Sequence, residues 1–304
     1  MALDAQEMAM TLVRTPTIEI DCTITGPEDG LPAILLPGFP YGARDYDAVA
    51  PILAAEGWRV IVPSLRGHGA TRFLRDETPR SGQQAALGQD LLDLMDGLAI
   101  PRAVVGGYDW GGRAACIVAA LHPERVAGLV TGGGYNIQDI AGGARPLSPA
   151  QEVRHWYQWY FHTERGATAM CEHPAEVNLL LWQMWSPDWD FSDAEFTETA
   201  ADWTNPDYAA VVIHSYRHRH RAAPGDPAYD AMEAALQAQP PITVPTVVLH
   251  GASDGVAPPE SSADCQRHFT GPFAREVIPA VGHCIPREAP EVFAAAVRVF
   301  GSGA

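Results

Sequence analysis

The sequence is poor in positive charge and in cysteine, and it has no long apolar run. Its 304 residues carry 20 Lys plus Arg against 37 Asp plus Glu, a formal net charge of −17. Nucleic acids and anionic membranes reward basic patches, so neither is an expected partner. The five cysteines, at positions 22, 116, 171, 265 and 284, are scattered and odd in number, with no Cys-x-x-Cys pair. That pattern argues against a disulfide framework and predicts free thiols in a reduced, cytoplasmic setting. No stretch reaches the apolar length of a membrane span. The start, Met1-Ala2-Leu3-Asp4, lacks the basic and apolar regions of a secretory signal. Charged residues are only 19% and hydrophobic ones 47%, which excludes a disordered chain and allows a large core. The length suits one large α/β domain, or a core plus an inserted subdomain.

Short apolar runs recur and end in glycine or polar turns. They are 32–38, 58–63, 103–107, 127–132 and 245–251. Runs of this kind predict parallel strands buried on both faces. Helical stretches at 83–98 and 112–122 lie between them, so the expected unit is βα and the expected sheet doubly wound. Residues 19–25 alternate polar and apolar, as a leading antiparallel strand with one wet face does. From 139 to 240 the pattern changes. This stretch is rich in Trp, Tyr and His and has no buried-strand run, which predicts a helical cap inserted into a core of 1–138 and 241–304. One cap helix is expected to start at Ser148, with Pro149 in its first turn and Gln151 completing a capping box. Val153, Tyr157 and Phe161 then fall on one face, as do Tyr208, Val212 and Tyr216 of a later helix.

The strongest local signal is Gly107-Tyr108-Asp109-Trp110-Gly111-Gly112, which follows an apolar strand and opens a helix. This is the setting of a nucleophile elbow, with aspartate in the place of serine. A sharp turn lifts one side chain above the sheet, and its neighbours must be small. The N–H after it, that of Trp110, points into the site as an oxyanion donor. A carboxylate is ionised at neutral pH and needs no base to attack a saturated carbon. A histidine is then needed to activate water against the ester. The plain alternative is a solvated loop; a dinucleotide loop fails because Gly-x-Gly-x-x-Gly is absent. His283 near the C-terminus supplies a base, and Asp254 after 245–251 supplies an acid to orient it, with Asp139 as a weaker alternative. Their order, nucleophile then acid then histidine, is that of hydrolases with this elbow. The loop Gly38-Phe39-Pro40 offers the N–H of Phe39 as a second oxyanion donor.

At this point the sequence resembles the α/β-hydrolase-fold epoxide hydrolases, relatives of the haloalkane and haloacetate dehalogenases. The resemblance runs from about Ile18 to Phe300. It rests on Asp109-Trp110-Gly111-Gly112, Gly38-Phe39-Pro40 and Leu65-Arg66-Gly67-His68-Gly69. It implies an α/β-hydrolase fold, a mostly parallel eight-stranded sheet with helices on both faces and an inserted helical cap. Epoxide hydrolases of this type carry two cap tyrosines that donate hydrogen bonds to the oxirane oxygen. Tyr157, in Tyr157-Gln158-Trp159, and Tyr216, in Tyr216-Arg217, match them. In the haloacetate dehalogenases a His follows the first position and an Arg the nucleophile; here Gln158 and Trp110 stand there. Pro37 and Tyr108 replace two histidines usual in the family.

The reading is therefore epoxide hydrolysis by Asp109, His283, Asp254, Tyr157 and Tyr216, with no cofactor and no metal. Trp110, Trp159 and Tyr108 are expected to contact a small, apolar substrate, in a monomer or homodimer. His214, His218 and His220 lack ligand-spaced partners and are expected on a solvated helix face. A dehalogenase with the same three groups, or a non-catalytic small-molecule binder on the same fold, remain the alternatives.

Overall fold

A computed structural model describes residues 9–301; the N-terminal stretch read for a leader lies outside them. The strands are β1 (Ala9–Arg14), β2 (Ile18–Thr25), β3 (Leu31–Leu36), β4 (Trp58–Pro63), β5 (Arg72–Phe73), β6 (Ala103–Tyr108), β7 (Val126–Gly132), β8 (Thr246–Gly251) and β9 (Phe273–Ile278). All nine belong to one sheet: eight follow the order β1-β2-β4-β3-β6-β7-β8-β9, and the two-residue β5 pairs with β2 off this path. From β4 to β9 every pairing is parallel, while β2 runs antiparallel to β1, β4 and β5. The fold is the α/β-hydrolase fold, as the sequence resemblance implied. β6 is buried at every residue and β2 alternates, matching the two hydropathy patterns read above. β1 and β9 were not legible as buried runs because they lie at the sheet's edges; Met10 and Leu12 of β1 are exposed.

The helices outside the long insertion are α1 (Val49–Ala54), α2 (Gln84–Gly97), α3 (Asp109–Leu121), α11 (Ile285–Glu288) and α12 (Pro290–Arg298). Period-two alternation splits the core between the sheet's two faces. Ile34, Val105 and Val248 pack towards α2 and α3, while their neighbours Leu35, Val104 and Leu249 pack towards α1 and α12. Each such aliphatic side chain contributes roughly 1.5–3 kcal/mol on burial. The sheet is thereby a rigid platform with both faces covered.

Between β7 and β8 the regular elements are all helical. They are α4 (Pro149–Arg154), α5 (Trp156–His162), α6 (Glu164–Glu172), α7 (Pro174–Trp185), α8 (Asp193–Ala200), α9 (Tyr208–Arg219) and α10 (Asp230–Gln237). The helix expected through 149–161 is two helices, interrupted at His155. The break resets the phase, so Val153 is 69% exposed while Tyr157 and Phe161 are buried. The capping box there is half made. Ser148 Oγ accepts from Gln151 N at 3.3 Å. The Gln151 side chain instead donates to the Val256 carbonyl at 2.9 Å. On α9 the expected face holds, with Tyr208, Val212 and Tyr216 all buried. Among the described residues no helix is long and apolar enough to cross a membrane.

Candidate active site

The sheet order reverses between β3 and β6, since β4 lies to one side of that pair and β7 to the other. Open α/β sheets leave a crevice at the carboxyl ends of the strands at such a point. Phe39 follows β3 by three residues and Asp109 follows β6 directly, so both stand at that crevice. Phe39 N donates to Asp109 Oδ1 at 2.9 Å across it.

Asp109 adopts φ +48°, a left-handed backbone that costs a non-glycine residue roughly 1–2 kcal/mol. Close packing holds it there. A Cβ on Gly107 would lie 2.5 Å from the Gly111 carbonyl carbon, and one on Gly112 would lie 2.7 Å from Asn136 Nδ2. One on Gly111 would collide with the Leu36 carbonyl oxygen. On the other side, a Cβ on Gly38 would sit 2.9 Å from Asp109 Cβ. Backbone crowding therefore requires glycine at 107 and 111, while a Cβ at 112 would displace the Asn136 side chain. α3 begins at Asp109, so the N–H of Trp110 lies in a first turn that has no in-helix acceptors.

His283 lies between two carboxylates. Its Nδ1 is 2.8 Å from Asp254 Oδ2, and its Nε2 is 3.7 Å from Asp109 Oδ2. The first distance is a hydrogen bond; the second is too long for one. Asp254 is fixed in turn, because its Oδ1 accepts from Val256 N at 2.9 Å and from Ala257 N at 2.8 Å. Burial alone would lower the His283 pKa, but the charges of Asp254 and Asp109 raise it to about 10. Burial raises the Asp109 carboxyl, but His283, Arg113 and the Phe39 N–H outweigh it and hold the group below its ordinary value. At rest the site is therefore an imidazolium between carboxylates. Asp139 is not the partner of His283; its Oδ1 accepts from Gly142 N at 2.7 Å.

The loop that carries His283 is held by residues the sequence reading missed. Glu288 accepts from Gly282 N at 2.6 Å and from Cys284 N at 3.0 Å. Ser186 Oγ donates to Glu288 at 2.6 Å and accepts from His283 N at 3.0 Å. Tyr108, expected to contact substrate, packs against His283 instead. Its hydroxyl donates to Asp45 Oδ2 at 2.7 Å, and Asp45 pairs with Arg287 at 2.9 Å. Asp45 itself is fully buried, which raises its carboxyl to about 6 against the pull of Arg287.

Above Asp109 the lining is aromatic. Phe39 stacks on Trp110 at 5.5 Å between ring centroids and meets Tyr216 edge-on at 5.5 Å. Tyr216 lies 5.2 Å from Tyr157, Tyr157 5.1 Å from Trp185, and Trp185 5.2 Å from the His283 ring. These rings form a continuous wall from Asp109 to His283. α5 and α9 are tied together so that both tyrosines face it. Arg217 Nε donates to the Phe161 carbonyl at 3.1 Å, and His162 Nε2 lies 3.1 Å from the Tyr216 carbonyl.

The Tyr157 hydroxyl accepts from Gln158 Nε2 at 3.0 Å, and Gln158 Oε1 is 2.8 Å from His220 Nε2. An amide nitrogen only donates, so the phenol's own proton is left for another acceptor. Burial raises the Tyr157 phenol to about 12, against the opposing charge of Arg219. His220 thus belongs to this chain rather than to a solvated face. His214 is also engaged, accepting from Gly82 N at 3.0 Å. Trp159, also expected at the substrate, stands outside the wall. It is 41% exposed, and its indole N–H donates to Glu152 at 2.9 Å. It lines an outer cavity of about 670 Å³ shared with Gln158, Arg219 and His220.

A model of the α/β hydrolase fold family matches residues 32–290. The chain belongs to the α/β-hydrolase fold family. Its similarity extends to a crystal structure from Klebsiella pneumoniae subsp. pneumoniae MGH 78578, provisionally named an epoxide hydrolase. That structure is 44% identical, covers 96% of each chain and superposes with a TM-score of 0.94. Epoxide hydrolase B of Mycobacterium tuberculosis H37Rv is 31% identical over 165 residues, 50% of this chain and 46% of that protein. The haloalkane dehalogenase of Mycobacterium marinum is 32% identical over 123 residues, 40% of each. The chain spans about half the length, or less, of these two curated relatives.

Proposed function

We propose that this hydrolase opens epoxides to vicinal diols through a covalent ester on Asp109. Tyr157 and Tyr216 donate to the oxirane oxygen while Asp109 attacks the ring carbon. The C–O bond of the ring breaks, and the alkoxide takes a proton from a tyrosine. That tyrosine regains its proton from the His283 imidazolium. Forming the ester removes the Asp109 charge, and with it one of the two carboxylates that raise His283. The neutral imidazole then takes a proton from water as the water oxygen attacks the ester carbonyl. The N–H groups of Phe39 and Trp110 hold the oxyanion. Collapse returns the Asp109 carboxylate, and the second water proton goes to the leaving diol oxygen. His283 ends as it began, oriented by Asp254.

The observation that carries this reading over the alternatives is the pair of tyrosines on the wall facing Asp109, with the Tyr157 proton left free by Gln158. A tethered alkoxide needs positioned acids, whereas a departing halide does not. The test is a panel of epoxides and haloalkanes run beside an Asp109→Asn control. The reading expects diol formation that the control abolishes. Turnover of neither class, with no ester mass shift, would mark the chain as a non-catalytic binder.

One observation favours a second reading. The indole N–H groups of Trp110 and Trp185 are buried and lack acceptors, and such groups can hold a halide. A dehalogenase would release halide from 1-chlorobutane at a rate unaffected by replacing both tyrosines with phenylalanine.

A further inference from the structure

Arg113 is a buried cation with no carboxylate in direct contact among the described residues. It lies on α3 four residues after Asp109, about 6 Å along the helix axis, and is only 6% exposed. Among the described residues it forms no ion pair, and its Nε–H has no acceptor. A buried guanidinium in this state is costly unless something pairs with it. The charge of a second arginine aggravates the cost. Arg219, at the end of α9, shares one acceptor with it. In the amide orientation that satisfies both, the Gln138 side-chain oxygen accepts from Arg219 Nε at 3.1 Å and from Arg113 Nη2 at 3.3 Å. Gln138 is anchored for this task, since its N–H donates to Gln84 Oε1 at 2.8 Å and its carbonyl accepts from Gln239 Nε2 at 3.3 Å.

Arg219 opens onto the cavity of about 670 Å³ whose wall includes Gln138, His155, Gln158 and His220. The acidic groups on that wall are already engaged. Asp139 accepts from Gly142 N, and Glu152 accepts from Leu147 N and from Trp159 Nε1. Burial first, and the Arg219 charge second, hold His155 and His220 near a pKa of 4, so both are neutral and the cations are the arginines. Asp109 is the one carboxylate whose charge bears on Arg113. It is already held by Phe39 and faced by His283, and it loses its charge in the proposed ester.

We infer that Arg113, Gln138 and Arg219 form an anion site that takes a carboxylate on the substrate. The substrate class is then an epoxy carboxylic acid, with a few methylenes between the carboxylate and the oxirane. The two arginines fix which end of the molecule reaches Asp109. The oxirane half of this statement rests on the proposed function; the anion half does not. A rival role for the arginines is to acidify the phenols of Tyr157 and Tyr216, which burial raises and these charges lower. That role would serve charged and neutral substrates alike.

Two measurements separate these outcomes. The first uses the wild-type chain and needs no turnover: calorimetric titration with octanoate and with methyl octanoate. Octanoate is expected to bind at least tenfold more tightly, and equal affinities would overturn the anion site whatever epoxides are turned over. The second compares kcat/KM for 7,8-epoxyoctanoate and its methyl ester. The acid should be preferred at least tenfold, and Arg219→Gln should reduce that ratio at least tenfold at unchanged melting temperature. If both substrates slow together and the ratio holds, the arginines serve the tyrosines and the proposal fails. Tight octanoate binding with no epoxide turnover would support the anion site and contradict the epoxide reading alone. Because Arg219 is only half-buried, this substitution is less exposed to misfolding than Arg113→Gln, which serves as the second variant.

Discussion

The two halves of the site are held in different ways. On the sheet side, backbone geometry aims the two aspartates. Asp109 is aimed by a left-handed turn that three glycines permit, and Asp254 by two backbone N–H groups. On the helical side, side chains hold side chains. Tyr157 depends on Gln158 and His220, Tyr216 on ring packing and on the Arg217 clamp to α5. A backbone-built site tolerates little change. A site built from side chains can be re-cut one residue at a time.

That contrast can be broken by substitution, and the effects should fall in order. Asp109→Asn should lower diol formation by on the order of 10⁴-fold or more, because a nucleophile acting in a unit cannot be partly replaced. The melting temperature should hold, since the amide oxygen still accepts from Phe39 N. His283→Gln should slow turnover roughly 10²–10⁴-fold, the worth of a general base, and the alkyl-enzyme should accumulate in intact-mass spectra. Tyr157→Phe or Tyr216→Phe should each cost roughly 10²-fold in kcat, as loss of one charge-stabilising donor does. The double variant should be slower than either, with Asp109 still present. Gln158→Leu should cost least, about fivefold, corresponding to one lost hydrogen bond of about 1 kcal/mol. If Gln158→Leu proved as damaging as His283→Gln, the two halves would not differ as described.

The pH dependence of stability sharpens the same contrast. His283 has a folded pKa of about 10, above its ordinary value near 6.5. A raised histidine stabilises the fold fully below the ordinary value, and that contribution is lost as pH rises through the folded one. The melting temperature should therefore fall between about pH 7 and pH 10, and the fall should be smaller in His283→Gln. An equal fall in both proteins would show that the sheet-side charges do not couple to folding.

Much of the sheet side was legible in the sequence because it is local. The five buried runs became β3, β4, β6, β7 and β8, and the glycine spacing around Asp109 is a six-residue pattern, although the atoms that crowd Gly111 and Gly112 belong to Leu36 and Asn136. Asp254 and His283 stand together, as their order along the chain suggested. What was not legible is held by distant contacts, in the core as well as in the helical insertion. Glu288, Ser186 and Asp45 serve the site through partners up to 242 residues away, as in the Asp45–Arg287 pair. No periodicity reports such a pairing. The break at His155 moved Val153 into solvent, and Trp159 and Tyr108 turned towards Glu152 and Asp45. For Trp159 and Tyr108 a specific polar partner set the orientation. Arg113 escaped notice for the opposite reason: on a helix face an arginine four residues after an aspartate reads as an ordinary i, i+4 pair.

The central claim is that Asp109 forms the bond to the substrate. A single turnover in ¹⁸O-labelled water, with enzyme in excess over a simple terminal epoxide, tests it directly. The account predicts unlabelled diol and one labelled oxygen in the Asp109 peptide. Label in the diol with none in Asp109 would mean that water attacks the epoxide directly, and the covalent account would be wrong.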